Sequence, residues 1–402
     1  YTIGDIPIGD TDCMLEKTVR NICNIELVNY PGEKYDYATI NYDILGLIIE
    51  TVSNESYESF MYENILQPLG LYHTYMARSD VGSEETLAKG YKYFLGNIME
   101  YGAPVYRGNT PAGYIISNTQ DMERWMKIQL GMIDIPENYK EIIEKSHIAD
   151  TTVPSQENYV YASGWDVSLK RDVLRHGGAN PNYSSMCLIK PFENYGICIL
   201  SNINSNAVTY LADNITNILE GKKVTKYKTG LYRDMDLIFS VVFILSVLGV
   251  FLYAWLSIRR SIVYMKGKRS FQKRRLVSLA IIPVIGVLYA ISMYYFPTVF
   301  INGILWNAVN VWASPVISIG CIAITVFLMV FIIYVLLTFR CAEDKEIDYF
   351  SLIPLSLING IAGALITLII NETFNRNLEY SKEFLSFYLL IIVVFVYTLK
   401  LL

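Results

Sequence analysis

Two short stretches of this sequence put chemistry-bearing side chains in unusual settings. In KYDYATINYDILGLIIE, Lys34 to Glu50, Tyr37 and Asn41 crowd the join between a loop and an apolar helical pattern. A serine would cap such a helix well enough, so the tyrosine calls for a reason of its own, plain packing on the helix start being one. In RHGGANPNYSSM, His176 is followed by Gly177, Gly178 and Ala179. Residues without side chains at a strand end let a substrate lie against the backbone; a structural histidine in a turn is the alternative.

Other chemistries are poorly supplied. His73, His147 and His176 stand far apart, with neither HExxH nor paired-cysteine spacing, so a zinc hydrolase is disfavoured and no metal or other cofactor is expected. The six cysteines lack the dense spacing of a small disulfide scaffold, and free, partly buried thiols are the expectation. Cys187 and Cys198 flank LIKPFENYGI, two strands and a turn, and could face each other; connectivity is not legible from sequence.

The elements that must position these residues follow from periodicity. Ile44, Leu45, Leu47, Ile48 and Val52 recur at helical spacing, and ESYESFMYENILQPLGL reads as a second amphipathic helix ending at Pro68 and Gly70. NTPAGYIISNTQDMERWMKIQLG begins as a turn and becomes a helix, with Asp121 in its first turn and Gly131 at its end. YASGWDVSL, VLRHGGANPNYSSMCLIK and YGICILSN then read as successive strands. Helices first and an antiparallel sheet last predict an α+β fold.

Composition divides the chain. Its 402 residues are 52% hydrophobic with a mean hydropathy of +0.30, more than a soluble core requires, and the excess lies beyond residue 235. Apolar runs at 237–258, 276–297, 311–339, 349–371 and 384–402 predict five membrane helices of the roughly 20 residues a bilayer demands. Residues 1–222 form a globular domain and 223–236 a juxtamembrane linker. Arg259, Arg260, Lys266, Lys268, Arg269, Lys273, Arg274 and Arg275 crowd the loop after the first span without an acid, which places that loop in the cytoplasm, the globular domain outside and the C-terminus inside. The net charge of -5 gives no footing for nucleic acid. The spans carry no Asp, Glu, Lys, Arg or His apart from Lys400, which favours an anchor or packing platform over a transporter.

The order YDYATINYDILGLIIETVS, ILQPLGLYHTYM, PAGYIISNTQDMERWM, SGWDV, RHGGANPNYSSM, ILSN resembles the serine beta-lactamase-like family, which includes class C beta-lactamases, low-molecular-weight penicillin-binding proteins and related esterases and peptidases. The resemblance covers residues 1 to about 220 and implies a beta-lactamase/transpeptidase-like antiparallel sheet with helices. That family uses a Ser-x-x-Lys at a helix start, a Tyr-x-Asn on a loop and a Lys/His-x-Gly on the edge strand. Carried over, Tyr37 matches the proton-shuttling tyrosine, whose pKa must fall from about 10 through nearby cations. Thr39 stands where asparagine is usual and would contact a substrate amide more weakly, since it lacks the paired donor and acceptor. Asn41 would hold the loop or cap the helix. His176, Gly177 and Gly178 match the third element, and the Ala179 amide would supply an oxyanion donor.

The resemblance leaves the nucleophile unplaced. The only Ser-x-x-Lys, Ser270 to Lys273, falls in the basic loop beyond the domain, and the Lys-Thr-Gly at 228–230 directly precedes the first span. A chain opening on Tyr1 is read as a fragment whose N-terminal part is missing; the family's Ser-x-x-Lys would lie there, and whether that part holds it stays open. Two function classes stay open: an anchored serine hydrolase acting on peptide, ester or beta-lactam-like substrates, and a non-catalytic relative that binds cell-wall peptides or a partner. The lipid bilayer is the other expected partner, and oligomeric state is not legible.

Overall fold

The computed structural model describes residues 6–27, 29–30, 32–33, 35–77, 80–81, 87–150, 152, 158–266, 276–300 and 305–341. They fall into two units, one running through Asp234 and including Val311–Ser314, the other holding Met235 to Asn310 and the residues from Pro315 on.

The first unit opens with α1 (Met14–Ile22), which the sequence reading left unassigned, and α2 (Ile40–Ser53). The buried face of α2 is Ile40, Asp43 and Gly46, not the expected apolar stripe: Leu45, Ile48 and Val52 are exposed, while Leu47 packs inward. Apolar residues ring most of this helix, so their spacing selects no face. Gly46 does, because a Cβ there would stand 2.4 Å from Pro111 Cγ. Asn41 is not the cap. It lies exposed in the first turn, and Thr39 takes the cap position with helical dihedrals and no side-chain capping bond. Backbone bonds from Asn41 N to Ala38 O and Tyr42 N to Thr39 O already satisfy that turn.

The second predicted helix is a composite. Ser56 caps α3 (Tyr57–Met61) by accepting from Ser59 N at 3.2 Å; a π-helical turn over Tyr62–Leu66 follows, then α4 (Gln67–Leu69) and Gly70 at φ +72°. A hairpin of β1 (Tyr91–Phe94) and β2 (Asn97–Glu100) turns through Leu95 and Gly96, both at positive φ. A 3-10 turn (Arg107–Asn109) runs into α5 (Thr110–Gly113), the element against which α2 packs. In α6 (Thr119–Gln129), Asn118 caps Asp121 N, and the buried Asp121 carboxylate accepts from His73 N at 2.7 Å and Thr74 Oγ1 at 2.8 Å. Then comes α7 (Glu137–Ser146).

A five-stranded antiparallel sheet follows in sequence order: β3 (Tyr159–Tyr161), β4 (Asp166–Ser168), β5 (Leu174–Asn180), β6 (Tyr183–Lys190) and β7 (Tyr195–Ser201). One face, with Leu174 and Ile189, packs with Val167, Trp165 and Met126 of α6; the other, with Met186 and Ile197, packs on Val208 and Ala212 of α8 (Ala207–Leu219). Each strand alternates between these layers.

The second unit is built of α9 (Leu231–Lys266) from Met235 on, α10 (Leu276–Phe300), α11 (Trp306–Trp312) as far as Asn310 and α12 (Pro315–Cys341). Among the described residues two helices are long and apolar enough to cross a membrane, Leu231–Ile262 and Pro315–Leu337. The run expected as one span over 311–339 is divided, since α11 ends at Trp312 and Pro315 starts a new helix at a position that suits its missing N–H. Runs 349–371 and 384–402, and the loop segment with Ser270 and Lys273, lie outside the described residues.

Candidate active site

Tyr37 and His176 come from opposite ends of the first unit and meet ring to ring, with centroids 6.3 Å apart. Tyr37 belongs to the irregular segment leading into α2 and is 51% exposed. His176 is the third residue of β5, half-buried, in register with Cys187 of β6, which in turn faces Cys198 of β7. The two thiols lie 3.4 Å apart as free cysteines. Thr39 sits two residues beyond Tyr37, half-buried at the start of α2.

Gly177, Gly178 and Ala179 continue along β5, and the sheet opens there. Although β3 and β4 lie outside it, β4 pairs only at Arg175 and Leu174, so among the described residues no strand pairs with His176 to Asn180 on that side. The expected edge strand is therefore an inner strand with an open half. From the turn at Pro181 and Asn182, flanked by the pair Asn180 and Tyr183, antiparallel alternation directs the N–H and C=O of Gly177 and Ala179 away from β6. Both residues are exposed. A Cβ on Gly178 would stand 2.3 Å from Ser185 Oγ, which explains a glycine at that position.

Further residues complete the cluster. Tyr161, at the end of β3, has its ring centroid 5.8 Å from Tyr37, 5.8 Å from Tyr35 and 6.2 Å from His176, and its hydroxyl lies 2.9 Å from that of Tyr42. Asp166 opens β4 and contributes negative charge to the site. None of Tyr35, Tyr42, Tyr161 and Asp166 was singled out from the sequence. The signal was the clustering of tyrosines in KYDYATINY and of Tyr161 and Asp166 around SGW, but aromatic enrichment alone also reads as core.

The electrostatics correct one expectation. The Tyr37 phenol is pushed up rather than down, first by burial and then by Tyr42 and Asp166. The phenol of Tyr42 and the acid Asp166 near it oppose ionisation. Burial likewise drives the Tyr35 phenol up to about 12 and raises Tyr161, to which the Tyr42 hydrogen bond adds. Burial lowers the His176 imidazole below the usual histidine range, against the opposing pull of Asp166 and a hydrogen bond with the Gly177 backbone. His176 is thus neutral at neutral pH and presents one nitrogen donor and one acceptor. No group of His, Cys, Asp and Glu among the described residues is arranged to hold a metal.

This geometry can be set beside known proteins. Protein flp of Staphylococcus aureus strain MW2 is 30% identical over 332 residues, 80% of this chain and 65% of that protein; the chain therefore spans just under two thirds of the length of this relative. Unguisins hydrolase ungD' of Aspergillus campestris is 25% identical over 207 residues, 48% of this chain and 38% of that protein. Among solved structures, an octameric penicillin-binding protein homologue from Pyrococcus abyssi is 25% identical with a TM-score of 0.46, covering 56% of this chain and 51% of its own. A class C beta lactamase from Rhodobacter sphaeroides is 20% identical with a TM-score of 0.40, covering 46% and 60%. The Beta-lactamase family model matches residues 4–221, more than half of the 402, a range that contains Tyr37, Tyr161, His176 and the whole five-stranded sheet. This chain belongs to the beta-lactamase family.

Proposed function

We propose that this chain is part of a membrane-anchored, extracytoplasmic serine hydrolase that works through an acyl-enzyme on peptide, ester or beta-lactam-like substrates at the cell wall. The observation that carries the reading is the meeting of Tyr37 and His176 beside the open half of β5. A serine oxygen attacks the substrate carbonyl and gives its proton to Tyr37, which hands it to the leaving group; water then releases the acyl group by the reverse relay. A phenol raised by burial needs a cation beside it to act as a base near neutral pH, and the lysine of the family's Ser-x-x-Lys is the group that would provide it. His176 steadies the proton network or the substrate, Thr39 contacts the substrate, and Gly177, Gly178 and Ala179 leave the backbone open to it, the Ala179 amide serving as an oxyanion donor. Residues 1–222 would be the hydrolase domain, 223–236 the linker and 237–402 the anchor.

The proposal requires a nucleophile that residues 1–221 do not contain as Ser-x-x-Lys. Reading the coding sequence upstream for that motif is the first test. In a protein that carries it, Tyr37→Phe should lower kcat/KM by about 10²- to 10⁴-fold on an ester and on a D-Ala-D-Ala peptide, with Tm unchanged. Unchanged kinetics on both substrates would overturn the catalytic reading.

A further inference from the structure

We propose that Tyr161 is a positioning residue, the piece that sets the Tyr37 phenol against the His176 imidazole. It touches three separate segments at once: the loop through Tyr35 and Tyr37, the first turn of α2 through Tyr42, and β5 through His176. The Tyr37 ring meets the Tyr161 ring edge-on, at an interplanar angle of 82°, and Tyr161 meets His176 at 65°, so the three rings form a triangle with sides of 5.8, 6.2 and 6.3 Å. Edge-to-face contact at this separation is attractive and directional. The hydroxyl bond to Tyr42, 2.9 Å long, fixes the Tyr161 ring from behind.

The placement suits this role better than a core role. Tyr161 is only half-buried and belongs to none of the buried clusters among the described residues. Its strand is three residues long, and the next four form a tight turn in which Ala162 N donates to Trp165 O at 2.7 Å and Gly164 takes φ +88°. That turn fixes where the strand ends and so where the ring stands. Tyr37, in a segment without helix or strand, is held among the described aromatic residues by Tyr161 and His176.

The inference rests on the reading of Tyr37 as the proton relay with His176 beside it, and its test separates the two ideas. The full chain, in detergent and with ¹³C-labelled histidine, carries three imidazoles, and His176→Gln assigns the His176 signal. Tyr161→Leu removes the ring, and Tyr161→Met takes its place if the leucine variant does not fold. Either should shift the His176 Cε1–H resonance and bring its titration midpoint back up toward that of an unburied histidine. Tyr161→Phe, which keeps the ring and loses only the Tyr42 bond, should restore most of the original signal. In the catalytically complete protein, Tyr161→Leu should lower kcat about 10- to 100-fold with KM less affected, and phenylalanine should recover most of the rate. An unmoved His176 signal and midpoint in both ring-deleted variants, alongside a lower Tm, would reduce Tyr161 to a structural residue and overturn the proposal. A shifted signal in Tyr161→Leu combined with a kinetically silent Tyr37→Phe would uphold the positioning and reject the hydrolase reading alone.

Discussion

Asp43 offers the most quantitative test of how the helices around the site are held. Its carboxyl is fully buried on the face of α2 turned to α5, lies against the backbone N–H of Ala112, and is pushed up by burial from 3.8 to about 7. Between those values the folded protein holds a proton that the unfolded chain has released, so stability falls as pH rises through the window and levels off above it. For pKa values of about 7 folded and about 4 unfolded, linkage gives a loss of roughly 2.5 kcal/mol between pH 5 and pH 8. In a unit of this size that is a fall in Tm of roughly 5–10 °C. Asp43→Asn keeps the shape and cannot titrate. Melting curves of wild type and variant at half-unit steps from pH 5 to 8 should therefore diverge, the wild type losing ground to the asparagine variant as pH rises. Parallel curves across that range would refute the argument, for they would mean that the carboxyl finds in the folded state a partner that keeps it ionised.

Gly46→Ala should cost roughly 1–3 kcal/mol and lower Tm accordingly, because the added methyl must displace Pro111. Cys13 and Cys23, both exposed, should react with iodoacetamide well before Cys187 and Cys198, with the order read by mass spectrometry of timed samples. In the catalytically complete protein, Thr39→Asn should shift preference toward amide over ester substrates, measured as the ratio of the two kcat/KM values. Cysteine labelling in intact cells should find position 102, exposed with open space for a side chain, accessible from outside and position 268 only after permeabilisation; access to position 268 from outside would reverse the topology.

Much of the sheet was legible because short alternating strands separated by Gly, Asn and Pro leave a local signature: RHGGANPNYSSMCLIK folds as a hairpin turning at Pro181 and Asn182. Both ends of α6 were equally readable, since Asp121 in its first turn and Gly131, at φ +69° just past its last residue, each act within one turn of themselves. The inward face of α2 was not. It depends on the approach of Pro111, far along the chain, and on Gly46 making room for it. The same limit applies at the site. Tyr37 and His176 could be picked out by motif, but Tyr161 matters through three contacts of long sequence separation that no spacing encodes, and the upward shift of the Tyr37 phenol follows from phenols and an acid brought in by folding. In the apolar half, hydrophobicity marked the runs, while the division at residues 313 and 314 turned on a single proline.

The short pairing of β4 has a metric consequence. His176 to Asn180 is five residues of strand that no described strand pairs on one side, a length of about 17 Å at the usual rise. Along it the outward amides of Gly177 and Ala179 recur about 7 Å apart, the repeat of two residues in any extended chain. A guest laid along this edge would be gauged by its reach and by the spacing of its own carbonyl and amide groups. Gly177 and Gly178 have no side chains with which to test those of the guest, so discrimination between guests would fall to the rings of Tyr37, Tyr161 and His176 gathered at the near end of that edge.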